Sequence, residues 1–288
     1  MIRNRFVLLL CAFSMLLIQA QVNGQTSELS VHIESLWVRG GQHRLFGQAF
    51  SRMDINSEPI LVVSLHGDAP PPYENPSYQY VFASKVAAAN KDVIAVGLLR
   101  PGYTDLRGNH SEGERGQLNG DNWNARNTDT IAEAISNLKS QYHARIVVVA
   151  GHSGGAAITA NILGRHPGLV GAALLVSCPC GHVEDWRKNM LELTGISVFQ
   201  GNIDTLSPIE QVDYISDKVI ISLMVGTQDK VTPAKFSEKF VSELSSQGKN
   251  AKLVRLEGSP HNIFLNPTIL AEVGVLIERL NLEGNRNN

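Results

Sequence analysis

The stretch RIVVVAGHSGGAAITANIL, residues 145–163, constrains this chain more than any other. Its continuous Val/Ile/Ala run, 146–150, has the character of a strand buried on both faces, as in a parallel sheet covered by helices on either side. The run passes without a linker into Gly151-His152-Ser153-Gly154-Gly155 and then into an alanine-rich helix pattern. Gly151 and Gly155 bring no side chain to the point where strand and helix cross closely. The turn between them forces Ser153 into a strained backbone conformation with its hydroxyl projecting outward. Ala156, Ala157 and Ala160 let the helix pack tightly on the sheet, and a helix N-terminus beneath the serine favours developing negative charge.

The same alternation of short apolar runs and helical periodicity continues through most of the chain. Strands are predicted at 31–38, 44–50, 60–65, 93–98, 146–150, 172–176, 219–225 and 252–256. The first two alternate in polarity and read as an antiparallel opening pair; the later ones are buried parallel strands. Ile131, Ile135, Leu138 and Tyr142 mark one buried helix stripe. Thr232-Pro233 and Asn266-Pro267 each read as a cap followed by a preset first turn. Two segments fall outside the alternation. Residues 102–125, rich in glycine and polar side chains, read as a long surface loop. Residues 181–216 exceed what a crossover needs and read as a small lid of one or two helices. With 288 residues, 43% of them hydrophobic, and no linker, a single domain over residues 25–288 is expected.

Residues 1–24 stand apart. Arg3 and Arg5 precede an almost unbroken apolar run over 6–18, and a polar stretch with Ala20 and Gly24 follows, the layout of a secretory signal peptide. A secreted or periplasmic protein is expected, without a membrane span once the signal is removed. Cys178 and Cys180 then remain, in VSCPCGH. A disulfide, two packed thiols, or a metal site shared with His182 all stay open at this point. A net charge of −2, with no basic stripe, offers nothing to nucleic acid.

The Gly-x-Ser-x-Gly turn in its strand–turn–helix context resembles the nucleophile elbow of the α/β-hydrolase family, and the resemblance extends over nearly the whole chain after residue 24. It implies an α/β fold with about eight mostly parallel strands flanked by helices, and a triad in the order Ser, acid, His. A serine hydroxyl needs a base within hydrogen-bond reach, and the base needs an acid to fix its tautomer. Asp229 follows a buried strand in GTQD, matching the family's G-x-x-D position, with Asp204, Asp213 and Asp217 as fallbacks. Among nine histidines, His261 lies after the last strand and before the last helix, where the family carries its base. His66 looks like the structural HG pair, and His152 is expected to point away from the hydroxyl's path. The resemblance assigns the oxyanion donors to the backbone N–H groups of Gly154 and Asp68. The Asp68 carboxylate must then point away, with Ala69 and the Tyr73 hydroxyl as alternatives. Arg100-Pro101-Gly102-Tyr103 resembles a structural turn of the family, with Arg100 bracing the loop.

These features imply a serine hydrolase acting on carboxylic esters of small substrates, with no metal or organic cofactor required. A serine peptidase of the same fold, aminopeptidase or prolyl-peptidase-like, is the nearest alternative. Glu184, Asp185, Glu192 and Asp204 are then available to grip a substrate amine. A non-catalytic binding protein is the remote one, for which a missing triad member would have been the sign.

Overall fold

The computed structural model describes residues 31–286 apart from Asn56 and Tyr73. The expected signal at 1–24 and the Tyr73 alternative therefore lie outside the described residues. Among the described residues, eight strands form one sheet: β1 (Val31–Gly40), β2 (His43–Arg52), β3 (Ile60–Leu65), β4 (Val93–Leu98), β5 (Ile146–His152), β6 (Ala172–Val176), β7 (Ile220–Gly226) and β8 (Ala251–Leu256). They run in the order β1-β2-β4-β3-β5-β6-β7-β8. β1 and β2 pair antiparallel, β2 meets β4 antiparallel, and every later pairing is parallel. This is the α/β-hydrolase architecture.

The described residues form six α-helices: α1 (Tyr78–Ala89), α2 (Ala125–Gln141), α3 (Gly154–Arg165), α5 (Ala234–Ser246) and α6 (Pro267–Arg286) pack on the sheet, and α4 (Val183–Thr194) belongs to the insertion. Along β5, Val147 and Val149 join the core beneath α2, α3 and α5, while Val148 and Ala150 join the opposite core beneath α1 and α6. Burial on both faces is why the run carries no polar alternation. The Asn266 side chain caps α6 by accepting from the Thr268 N–H at 2.9 Å.

One segment departs from the sequence reading, and a second, 181–216, contains a helix as expected. Residues 102–125 are a surface loop only in part: 106–108, 110, 112, 114, 116 and 117 are exposed, but the segment also sends side chains inward. Tyr103 and Trp123 are fully buried, and Asp105, Ser111 and Asn122 are buried with them. Asp105 winds the segment on itself, its carboxylate accepting from the N–H groups of Arg107 and Asn109 at 2.8 and 2.9 Å. Polar composition here reflects internal hydrogen bonding as well as hydration. Residues 181–216 contain α4 and two 3₁₀ segments, Ser197–Phe199 and Pro208–Tyr214. Trp186 of α4 packs on Trp123, ring centroids 4.6 Å apart, so this insertion is fastened to the loop opposite. Cys178 and Cys180 are joined by a disulfide, which removes both thiolates from the metal alternative. Among the described residues no helix is long and apolar enough to cross a membrane.

Candidate active site

β5 ends at His152 and α3 begins at Gly154, so the turn is made at Ser153, with φ +53° and ψ −121°. Such a conformation costs a non-glycine residue on the order of 1–3 kcal/mol and survives only where neighbours over-determine it. Here the Ser153 N–H donates to the Val176 carbonyl at 2.9 Å, and its own carbonyl accepts from Ala156 and Ala157 at 2.9 and 3.1 Å. A side chain at Gly151 would strike the Gly155 backbone, and one at Gly155 would strike the carbonyls of His66 and Leu65. The two glycines are a condition of the crossing.

Ser153, Asp229 and His261 are brought together at the C-terminal edge of the sheet. His261 Nε2 lies 3.0 Å from Ser153 Oγ, and its Nδ1 lies 2.8 Å from Asp229 Oδ2. Gly226 permits the approach, because a Cβ there would collide with the Ser259 and Pro260 carbonyls of the loop that delivers His261. The carboxylate is held from three further directions. Oδ1 accepts from the N–H groups of Val231 and Thr232 at 2.9 and 2.8 Å, and Oδ2 from the Thr232 hydroxyl at 2.7 Å. Burial opposes the Asp229 charge, but the His261 imidazole and the Thr232 hydrogen bonds outweigh it and hold its carboxyl below the usual carboxylate range. Asp204, Asp213 and Asp217 take no part in this arrangement.

Thr232 corrects the sequence reading. Its side chain does not cap α5, whose N-cap is Pro233; it serves Asp229 instead. The D-x-x-T spacing carries the signal, since an aspartate readily accepts from N–H groups two and three residues on.

On the side where the oxyanion donors are expected, Gly154 heads α3, so its N–H has no intrahelical partner. The Asp68 carboxylate is turned into a buried cage. Its Oδ1 pairs with Arg100 Nη1 at 3.0 Å, with Asn122 Nδ2 at 3.3 Å, the Tyr103 hydroxyl at 3.4 Å and Trp123 Nε1 at 3.5 Å around it. Arg100 also donates from its backbone to His66 Nε2 and from its side chain to the His66 carbonyl, both at 3.0 Å. His66 is thus a buried structural histidine, and Arg100 braces the loop carrying Asp68. Asn122 and Trp123 belong to the segment read as a surface loop, and sequence reasoning missed them.

An open cavity of about 330 Å³ lies beside the backbone of the Asp229 loop, lined by Asn189, Glu192 and Leu193 of α4 and by Asp229, Lys230 and Pro233; the Asp229 carboxylate itself is fully buried. It is bounded by the insertion on one side and the acid's loop on the other.

A strained serine on a strand–helix turn, an imidazole bridging it to a buried carboxylate, and an eight-stranded sheet of this order define a serine hydrolase of the α/β-hydrolase class. Residues 102–272, which include all three side chains, match the model of the prolyl oligopeptidase family. The chain belongs to that family. No curated protein sequence matches it significantly. Among solved structures it is similar to the Pyrococcus furiosus esterase Pf2001, at 14% identity and TM-score 0.66, over 89% of this chain and 94% of that one. Est1E from Butyrivibrio proteoclasticus, described with bound ferulic acid, shares 16% identity at TM-score 0.64, over 86% of this chain and 98% of Est1E. The acylaminoacyl peptidase of Pyrococcus horikoshii shares 13% identity at TM-score 0.64, over 87% of this chain but 41% of that protein.

Proposed function

We propose that this chain hydrolyses carboxylic esters of small substrates through an acyl-enzyme on Ser153. The observation that carries the reading is the hydrogen-bonded line from Ser153 Oγ through His261 to Asp229, at 3.0 and 2.8 Å. His261 Nε2 takes the hydroxyl proton as Oγ bonds to the ester carbonyl carbon, and the carbonyl electron pair moves onto oxygen. The N–H groups of Gly154 and Asp68 receive that oxyanion, each donor worth on the order of 3 kcal/mol in a preorganised site. Collapse breaks the bond to the alkoxy oxygen, which leaves with the proton from Nε2. Water then repeats the sequence, giving up its proton to Nε2 and releasing the acid and Ser153. Asp229 stabilises the imidazolium without taking its proton.

Esters are preferred for the leaving group because the esterases are matched over nearly their whole length, the peptidase over less than half. A specific observation supports peptide bonds as the second reading. Glu192 lines the cavity beside Asp229 and offers a carboxylate to a substrate amine, whereas Asp185 is paired with Lys239 at 3.8 Å. Export is part of the proposal too, supported by the pattern of residues 1–24 and consistent with a disulfide between Cys178 and Cys180.

The test compares an aryl ester with an aminoacyl anilide. Faster turnover of the ester is expected, together with its loss, by about 10⁴-fold or more, in Ser153→Ala. Preferred anilide cleavage would move the reading to a peptidase, and undiminished turnover by Ser153→Ala would remove it.

A further inference from the structure

His152, the residue before the serine, is buried and stands outside the Ser153–His261–Asp229 line. Its ring lies between those of His261 and Phe264, with centroids 5.1 and 5.5 Å away. Nε2 is 3.2 Å from the backbone carbonyl oxygen of His261, and Nδ1 is 2.9 Å from the Tyr78 hydroxyl. That hydroxyl lies 2.5 Å from the Gly67 nitrogen, in the loop whose next residue is Asp68.

Chemistry decides where the protons are. A carbonyl oxygen only accepts, so Nε2 carries the ring hydrogen. Burial, with the neighbouring His261 adding to it, pushes the His152 imidazole down to about 3 and leaves it neutral. Nδ1 is then a lone pair and accepts from the Tyr78 hydroxyl. The hydroxyl oxygen, its proton committed, accepts the Gly67 N–H. The line therefore runs in one direction, from Gly67 N–H to Tyr78, to His152, to the His261 carbonyl.

We infer that Tyr78 and His152 form a positioning tie, holding the His261 loop and the Gly67-Asp68 loop in fixed register with Ser153. The inference deepens the serine hydrolase reading and rests on it. Its need is clear from the backbone. His261 sits on irregular chain between β8 and α6, and its carbonyl accepts from the His152 ring, from Ser177 Oγ at 2.8 Å and from the Ile263 N–H at 3.0 Å, of which only the ring reaches on to the Gly67-Asp68 loop. Gly67 presses directly on the elbow, where a Cβ would meet Ser153 Cβ at 2.9 Å and His152 Nδ1 at 3.3 Å. Tyr78 is itself anchored in the apolar core, edge-on to Phe264, which stacks on Phe82 at 4.1 Å. The tie thus transmits the rigidity of α1 to the base and to one oxyanion donor at once. A displacement of about 1 Å between such groups costs about 10²-fold in rate.

The experiment uses Tyr78→Phe, His152→Phe, His152→Gln and the double variant Tyr78→Phe/His152→Phe. The kcat on an aryl ester is normalised to sites titrated by a fluorophosphonate, which counts folded, competent enzyme. Tyr78→Phe and His152→Phe are each expected to lower kcat about 10- to 100-fold with KM within about twofold. His152→Gln, whose amide keeps a donor and an acceptor, is expected to recover most of that loss. The double variant should fall no more than about threefold below the worse single one, because one device is removed once. Should Tyr78→Phe fail to fold, the contrast of His152→Phe with His152→Gln decides. Unchanged kcat in both folded phenylalanine variants, a change confined to KM, or losses that multiply in the double variant would each overturn the tie. Turnover retained by Ser153→Ala would instead remove the hydrolase reading, so the two failures are distinguishable.

Discussion

Gly154 shows how tightly single residues are specified around the serine. A Cβ at this position would sit 2.5 Å from Asp68 Oδ1 and 2.6 Å from Trp123 Nε1. The Asp68 carboxylate cannot yield easily, because Arg100, 1% exposed, takes its counter-charge from it. Gly154→Ala is therefore expected to push the Asp68 loop off the serine. We predict a kcat loss of about 10²-fold, matching the removal of one oxyanion donor, and a stability loss of about 1–3 kcal/mol from overpacking. Kinetics at titrated sites and urea unfolding of the same sample check both numbers. Asp68→Asn separates charge from shape: it keeps the volume but strands the buried guanidinium, and should cost about 3–5 kcal/mol of stability. At this scale Ser153, Asp229 and His261 are legible as a set because their order and their places after strands are constrained. The carboxylate cage is not, since Arg100, Tyr103, Asn122 and Trp123 come from segments whose sequence gives no hint that they converge on residue 68.

Among the elements, the insertion at 181–216 depends on Arg187 of α4. This guanidinium, 3% exposed, donates to the carbonyls of Asn119 at 2.7 Å, Gln200 at 2.8 Å, Gly201 at 3.2 Å and Val198 at 3.3 Å. It pins α4 to its own return segment and to the loop preceding α2. Asn119 adds a second fastening by donating to the Val198 carbonyl at 2.9 Å. Arg187→Met keeps much of the bulk and takes this donor from all four carbonyls; Val198 keeps the Asn119 amide and the exposed Gln200 and Gly201 turn to water, while the buried Asn119 carbonyl is left unpaired at a cost of about 1–3 kcal/mol. Limited proteolysis of this variant should show new cleavage within 181–216 while β5 and α3 stay protected. Cleavage spread evenly over the chain would mean the insertion has no separate fastening. The strands were readable here from apolar runs, and α4 falls inside the segment marked by its excess length. The packed state of 102–125 was not readable, because its glycines and short polar side chains describe a turn-rich loop equally well whether it folds inward or outward.

For the whole molecule, the strand order places the C-terminal ends of β3, β5, β7 and β8 along one edge, so groups from residue 66 to residue 261 share one small volume. Two neutral histidines are buried there, which makes folding sensitive to mild acid. His66 is held well below its ordinary range by burial and by the nearby Arg100 charge, and His152 is pushed down to about 3. Both bind a proton far more readily unfolded, with an ordinary value of 6.5. Their contribution to stability is therefore complete above about pH 6.5. It declines as the pH falls, because the unfolded chain takes up protons the folded one refuses. The Asp229 carboxyl, held below its ordinary 3.8, adds its own loss only further down. Between pH 6 and pH 5 each histidine should cost up to about 1.4 kcal/mol per pH unit. Urea unfolding across that interval should show His152→Gln losing stability less steeply than the parent, by about one proton. An unchanged slope would mean that His152 is charged in the folded protein, and the one-directional hydrogen-bond line from Gly67 to the His261 carbonyl could not then exist as drawn.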